Sequence, residues 1–212
     1  GDVYKRQVKN KVMEFVGPGV ASLSADCRNG IDCMTTETTC WSSIWQTDGV
    51  TEEYLAGHGR ADAYKELKPA DVAYYDGCIE LDLSKIECMI ALPMHPSYAY
   101  PIRELKANAK DLLHEIETRA NEQLSGKVKM DLVSKVRADG SIYVDQGIVA
   151  GCSGGTYENL CAVADILRGK SCGNGVFTLS IYPGSMPALA ELYKNGRASD
   201  LVNAGAIMRE CF

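Results

Sequence analysis

The second half of the chain alternates predicted strands with predicted helices, and this order restricts the fold more than any other feature of the sequence. Short apolar runs at 144–150 and 176–182 are typical of strands, whereas 157–168 has helical spacing. Ser185 is a suitable N-cap for a further helix, and 206–211 is a last predicted strand. Such alternation predicts an α/β fold with a mostly parallel sheet buried on both faces.

A cysteine directly follows the first of these strands, in the sequence GCSGG at 151–155. Ligand sites in parallel sheets lie beyond the carboxyl ends of the strands. We expect Cys152 to sit just before the N-terminus of the helix at 157–168, where free N–H groups stabilise a thiolate. Cys152 is therefore the functional candidate among nine cysteines, the others being expected as free, buried thiols of a reducing compartment.

The first half of the chain has weaker patterns. Helices are predicted to begin at 51–55 and at 62–67. Apolar and acidic residues alternate over 78–83, which predicts a half-buried strand. Apolar residues at helical spacing over 103–124 predict a longer helix with a charged outer face.

Composition excludes several classes of partner. The 212 residues are 46% hydrophobic and 24% charged, as in ordinary globular proteins. A net charge of −6 without a cluster of Lys and Arg argues against nucleic acid. No apolar run has the length of a bilayer span and no signal-peptide pattern is present, so we expect a cytoplasmic protein without a membrane partner.

Three chemistries remain open for Cys152 on its local sequence. A thiol nucleophile needs a histidine base. The chain has His58, His95 and His114, and none of them lies in a sequence context typical of a catalytic base. A phosphate-binding loop needs a following Lys, which is missing. A ligand of an iron–sulfur cluster needs further cysteines, and the nine include no C-x-x-C.

Several segments of the sequence together favour one of these three chemistries for Cys152. Residues 15–24 read FVGPGVASLS and continue without a gap through Glu37 towards residue 55; 151–159 read GCSGGTYEN, and 182–185 read YPGS. In order and distance they resemble the aconitase family of iron–sulfur hydro-lyases, whose corresponding motifs are F-x-GPGV-x-SLS, GSCTNSSYED and TPGS. The resemblance extends over nearly the whole chain after residue 8.

The resemblance implies a [4Fe–4S] cluster held by three cysteines, with an open iron acting as a Lewis acid. Cys152 aligns with the first ligand. The other two are expected in a C-G-P-C motif beyond the C-terminus, and Cys211 is not assigned as a ligand. Glu37 aligns with an active-site glutamate that accepts a proton or orients water. The implied reaction moves water between adjacent carbons of a hydroxy polycarboxylic acid, a small-molecule substrate.

Two departures from the family pattern favour a divergent branch with a different substrate. Cys33 stands where the family has an active-site Asn, and Ser153-Gly154 replaces Thr-Asn. Alternatives are a large subunit of the isopropylmalate-isomerase type, which works with a separate small subunit, a non-catalytic iron–sulfur or iron-sensing protein, and a cluster-free thiol enzyme.

The implied fold class is α/β, with three-layer α/β/α aconitase-type domains that are incomplete at both ends. We predict a non-native leader at 1–7, the end of one domain at 8–97, a helical connector at 98–126 and the first half of a second domain at 127–212. Because one thiolate cannot hold a four-iron cluster, we expect the 212 residues alone to be inactive.

Overall fold

The structure is a computed structural model and describes residues 7–211. These residues form two compact units, one made of residues 80–144 and the other of residues 7–79 with 145–211. The domain boundaries after residues 97 and 126 remain a prediction about the parent fold.

Strands and helices alternate through much of the chain. The strands are β1 (Val12–Phe15), β2 (Ser42–Trp45), β3 (Met89–Ala91), β4 (Ala99–Pro101), β5 (Gln146–Val149), β6 (Thr178–Ile181) and β7 (Ile207–Met208). The α-helices are α1 (Ala25–Thr35), α2 (Gly49–Gly57), α3 (Ile102–Ala107), α4 (Ala109–Gln123), α5 (Gly151–Gly154), α6 (Tyr157–Leu167), α7 (Met186–Lys194) and α8 (Arg197–Asn203). Short 3-10 turns cover Pro18–Ser22, Thr36–Thr38, Ala61–Ala63, Leu83–Lys85 and Val133–Lys135.

The predicted parallel sheet is confirmed in the order β5-β6-β7. Val149, Ile181 and Met208 are paired across it and face one way. Helices α6, α7 and α8 cover this face, and Leu160, Leu192 and Leu201 are fully buried there. Burial of these apolar side chains is the main force that holds the helices on the sheet.

The opposite face of this sheet is covered at its central strand, where Ser180 is 3% exposed, but less so at its two outer strands in the described part of the chain. Ile148 is 59% exposed and Ile207 is 38% exposed. Residues 7–211 meet the expectation that both faces are buried only in part, because helices α6, α7 and α8 all pack on the same side. The mixed α/β class with mostly parallel strands is confirmed.

A second parallel pair, β1 with β2, holds helix α1 in the same unit. The Asp32 carboxylate accepts hydrogen bonds from Ser43 Oγ at 2.6 Å and from Trp45 Nε1 at 2.8 Å. Phe15 stacks on Trp45 with ring centroids 4.2 Å apart. These contacts fix α1 to β2, since Asp32 lies on α1 and both of its donors lie on the strand.

The unit at 80–144 combines the antiparallel pair β3-β4 with helices α3 and α4. Its core contains Leu105, Leu113 and Ile116, and Ile116 is fully buried. The single helix predicted over 103–124 is two helices, because Asn108 leaves the helical conformation with φ −128° and ψ 32°. Asparagine competes for backbone hydrogen bonds and is a weak helix former.

Two predictions for the first half are wrong and one is confirmed. The 78–83 segment forms no strand, and Ile79 and Leu81 are 64% and 67% exposed. Its alternating pattern finds no neighbouring strand among the described residues. The helix predicted at 62–67 is limited to the 3-10 turn at Ala61–Ala63. The helix predicted at 51–55 is α2, and the Asp48 side chain accepts a hydrogen bond from the Thr51 N–H at its start.

Within residues 7–211, the structure contains no helix with the length and apolar character needed to cross a membrane.

Candidate functional site

Cys152 lies at the carboxyl end of β5, as predicted from the sequence, and its side chain is exposed. Gly151 precedes it with φ +84°, a conformation that favours glycine. The structure corrects one detail: Cys152 belongs to the separate single turn α5. The N-cap of the longer helix α6 is Thr156, four residues further on. The thiol is thus placed by a short turn between strand and helix.

This turn is held by backbone contacts with the segment after β6. Gly155 O accepts a hydrogen bond from Gly184 N at 2.8 Å, and Tyr182 N donates to Val149 O at 2.8 Å. A Cβ at Gly155 would lie 2.6 Å from Tyr182 O and 2.8 Å from both Gly151 O and Gly184 N. No side chain fits there, so glycine at this position permits the two segments to meet.

Helix α1 packs on the other side of the turn. The Asp26 carboxylate accepts a hydrogen bond from Glu158 N at 2.9 Å, and the Ser24 hydroxyl donates to the Glu158 carboxylate. One turn further along α1, the Gly30 carbonyl oxygen accepts a hydrogen bond from Ser153 Oγ at 3.5 Å. Asp26 thereby satisfies a free N–H in the first turn of α6, a role usually filled by a local N-cap. The segments at 15–24, 151–159 and 182–185 therefore meet around Cys152.

Cys33 is the residue of α1 whose side chain interacts with Cys152. It lies three residues after Gly30 and seven after Asp26, which puts all three on one face of the helix. Burial raises the pKa of the Cys33 thiol above its ordinary value. The hydrogen bond and charge of the Cys152 thiol and the charge of Asp32 raise this pKa further. The sequence marked Cys33 as a departure from the family pattern but gave no signal that it pairs with Cys152.

A groove of about 500 Å³ runs between α1 and the start of α6. Cys27, Gly30 and Met34 line it from α1, and Ser153 and Glu158 line it from the other side. Its lining combines apolar side chains with a thiol, a hydroxyl and a carboxylate, and it is largely open to solvent.

The start of α1 is fixed by a buried arginine. The Arg28 guanidinium donates to both carboxylate oxygens of Asp48, at 2.9 and 2.7 Å. It also donates to Val20 O at 2.8 Å and to Leu23 O at 3.1 Å. Its hydrogen bond holds the pKa of the Asp48 carboxyl below the usual range, against the opposing effect of burial. These hydrogen bonds of Arg28 hold α1, α2 and the turn at Pro18–Ser22 together. No pattern in the sequence predicted them.

Glu37, the predicted catalytic residue, lies in the 3-10 turn Thr36–Thr38 that follows α1. Its side chain is exposed. The structure records no contact between Glu37 and Cys152. Instead Cys33, one helical turn earlier, has the thiol that interacts with Cys152. The role of Glu37 therefore remains a prediction.

The donor atoms at this site are two thiols. Thiolates are the ligands that iron–sulfur clusters take, so an exposed Cys152 is suited to such a cluster. Among residues 7–211 no group of three or more His, Cys, Asp or Glu side chains is arranged to hold a metal ion. Cys211 lies elsewhere, with its Sγ 3.4 Å from the Met186 sulfur.

Comparison with known proteins agrees with the family resemblance found in the sequence. The family model described as aconitase family (aconitate hydratase) matches residues 1–212. The 3-isopropylmalate dehydratase large subunit of Clostridium beijerinckii is 28% identical over 196 residues, covering 92% of this chain and 38% of that protein. The 2,3-dimethylmalate dehydratase large subunit of Eubacterium barkeri is 29% identical over 194 residues, with the same coverage of 92% and 38%. The chain therefore spans somewhat over a third of the length of these curated relatives.

Proposed function

Because the chain belongs to the aconitase family, we propose that it is part of a hydro-lyase that removes and re-adds water across adjacent carbons of a hydroxy acid. The observation that carries this proposal is the meeting of the family-like segments around one exposed thiol. Residues 15–24, 151–159 and 182–185 are far apart in the sequence but are linked by the contacts of Ser24, Gly155 and Glu158.

Cys152 is proposed as one ligand of a [4Fe–4S] cluster, the remaining ligands being supplied by parts of the parent protein outside this chain. A cluster bound there supplies a Lewis acid for the hydroxyl and carboxylate of the substrate. The other residues of this chain contribute by positioning the Cys152 thiol. Gly151 and Gly155 shape the turn that presents the thiol, and α1 packs against that turn through Gly30 and Asp26.

Glu37 is proposed to accept a proton from, or to orient, the water that is added to the substrate. Three features support this role: its alignment with the family glutamate, its exposed carboxylate, and its place just after the helix that reaches Cys152. A carboxylate in such a position acts as a general base.

The comparisons favour the isopropylmalate-type alternative over an aconitase proper. Both relatives named above are large subunits, and the acids in their names, 3-isopropylmalate and 2,3-dimethylmalate, are substituted malates. We therefore propose a substituted malate or similar hydroxy dicarboxylic acid as substrate, and a separate small subunit as partner. All nine cysteines are free, which suits the reducing cytoplasm as the compartment.

Glu37→Gln in the full-length parent, assembled with its small subunit, tests the catalytic proposal. We expect turnover of a substituted malate to fall by roughly 10²- to 10⁴-fold, since the amide cannot accept a proton. The measurement is the rate of formation of the unsaturated acid by the cluster-loaded enzyme.

The matched control is Glu53→Gln, which removes an exposed carboxylate from α2 in the same unit. It should leave the rate unchanged. Full turnover in Glu37→Gln would overturn the role of Glu37. A cluster-loaded parent that turned over no hydroxy acid would instead favour the non-catalytic iron–sulfur protein.

A further inference from the structure

We propose that Asn174 is a site of spontaneous deamidation, at which the Asn174-Gly175 sequence rearranges through a cyclic imide to aspartyl and isoaspartyl products. Asparagine is one of the chemically labile residues, and a following glycine hinders the reaction least because it has no Cβ. The chain contains three such sequences, which are Asn29-Gly30, Asn174-Gly175 and Asn195-Gly196. All three asparagines are exposed, so their contacts in the fold must decide which one reacts.

Asn174-Gly175 lies in the loop between α6 and β6. The loop is anchored just before this point, where Cys172 N donates to Ala204 O at 2.7 Å. Within the described part of the chain, neither the Asn174 side chain nor the Gly175 N–H makes a hydrogen bond. A Cβ at Gly175 would meet no atom within 4 Å. The amide group and the backbone nitrogen that attacks it can therefore reorient without breaking any contact.

Asn195-Gly196 is held by hydrogen bonds on both residues. Asn195 Nδ2 donates to the Tyr157 hydroxyl, and Asn195 Oδ1 accepts a hydrogen bond from Arg197 N at 3.0 Å. Gly196 N donates to Tyr193 O at 3.3 Å. All of these bonds must break before Gly196 N can reach the side-chain carbon of Asn195, so the fold protects this sequence.

Asn29-Gly30 is protected by helix α1, in which it occupies two interior positions. The N–H of an interior helical residue is bonded to the carbonyl oxygen four residues earlier. A Cβ on Gly30 would lie 3.4 Å from Ser153 Oγ, so this part of α1 also packs against the α5 turn. Rotation of the backbone towards the cyclic product would break the helix and this packing.

The reaction at Asn174 consumes water and releases ammonia. Gly175 N loses its proton and attacks Asn174 Cγ, which forms the N–Cγ bond of a five-membered imide. The bond from Cγ to Nδ2 breaks, and the amide nitrogen leaves as ammonia. Water then adds to either carbonyl carbon of the imide and breaks its bond to nitrogen. Addition at Cγ gives the aspartyl product, and addition at the main-chain carbon gives the isoaspartyl product.

Both products make the net charge of the chain, −6 before the reaction, more negative by one. The isoaspartyl product also lengthens the main chain of the loop by one carbon atom. Because β5 and β6 are parallel, the loop that enters β6 lies at the opposite edge of the sheet from Cys152, which follows β5. The modification therefore leaves the turn that carries Cys152 unchanged and does not depend on the proposed function.

The test is incubation of the full 212-residue chain in mildly alkaline buffer, then digestion and mass spectrometry of the three Asn-Gly peptides. We expect the Asn174 peptide to convert to the acidic products, while the Asn29 and Asn195 peptides stay unmodified. Mildly acidic buffer should slow the conversion, since less of the Gly175 amide is deprotonated. In concentrated urea all three peptides should convert, because the fold no longer protects two of them.

Gly175→Ala is the decisive variant, since its Cβ fits the open space at this position but hinders attack on the Asn174 side chain. We expect it to lose most of the conversion. Gly57→Ala adds a Cβ in equally open space on α2 and should convert like the original chain. An Asn174 peptide that stayed unmodified in the folded original chain would overturn the proposal. So would conversion of Asn29 or Asn195 as fast as that of Asn174.

Discussion

Replacing Arg28 with alanine is expected to lower the free energy of unfolding of this chain by about 3 kcal/mol, the lower end of the cost of removing one partner from a buried ion pair, because the Asp48 side chain is 21% exposed. Arg28 is 5% exposed and donates to both oxygens of Asp48. Without it, the Asp48 carboxylate loses its charge partner, and the carbonyl oxygens of Val20 and Leu23 lose a donor. The measurement is the midpoint of urea unfolding at neutral pH.

Arg28→Lys is the informative second variant, because it keeps the charge but loses the planar fork. We expect an intermediate loss of stability. Lys194→Ala is the control, since Lys194 forms an exposed pair with Glu191 and should leave the midpoint nearly unchanged. Equal midpoints for Arg28→Ala and the original chain would contradict the structural role of Arg28.

The pH of this measurement matters because of Asp48. Its pKa is lowered in the folded chain, mainly by the hydrogen bond from Arg28. The stabilisation that comes with a lowered carboxyl pKa is complete above the ordinary aspartate pKa. It is lost as the pH falls through the lowered value. Unfolding at neutral pH therefore measures the full contribution of the Arg28–Asp48 ion pair to stability.

Gly155→Ala is expected to destabilise the chain by about 3 kcal/mol or more, at or above the upper end of the usual cost of overpacking. The added Cβ would lie 2.6–2.8 Å from three backbone atoms of Tyr182, Gly151 and Gly184. Backbone cannot move aside as a flexible side chain does, so the turn that carries Cys152 must separate from the segment after β6. Urea unfolding again gives the free energy.

The neighbouring glycine offers a matched control. A Cβ on Gly154 would meet no atom within 4 Å, so Gly154→Ala should have little effect on stability. If Gly155→Ala unfolded at the same urea concentration as Gly154→Ala, the close approach of the two segments would be contradicted.

Features that depend on neighbouring residues were predictable from the sequence. The strands at 144–150 and 176–182 are confirmed as β5 and β6, in shorter form. Ser185 is the N-cap of α7, and its hydroxyl accepts a hydrogen bond from Ala188 N. Strand periodicity and N-capping act over a few residues, and a single sequence carries this information.

Features that depend on distant residues were not predictable. The alternation at 78–83 is a valid strand pattern, but a strand also needs a partner, and the described residues provide none. The pairing of Cys33 with Cys152 and of Arg28 with Asp48 joins separate elements. No local pattern records such contacts. The resemblance placed Cys152 and Glu37 in one site, whereas the structure brings Cys33 to Cys152.

The proposed ligand role of Cys152 is tested most directly by anaerobic reconstitution of the full-length parent with iron and sulfide. We predict that the original protein gains the visible absorption of an iron–sulfur cluster. Cys152→Ser should fail to gain it, whereas Cys27→Ser, which alters an exposed thiol on α1, should match the original. A cluster that formed in Cys152→Ser with unchanged absorption and iron content would contradict the account.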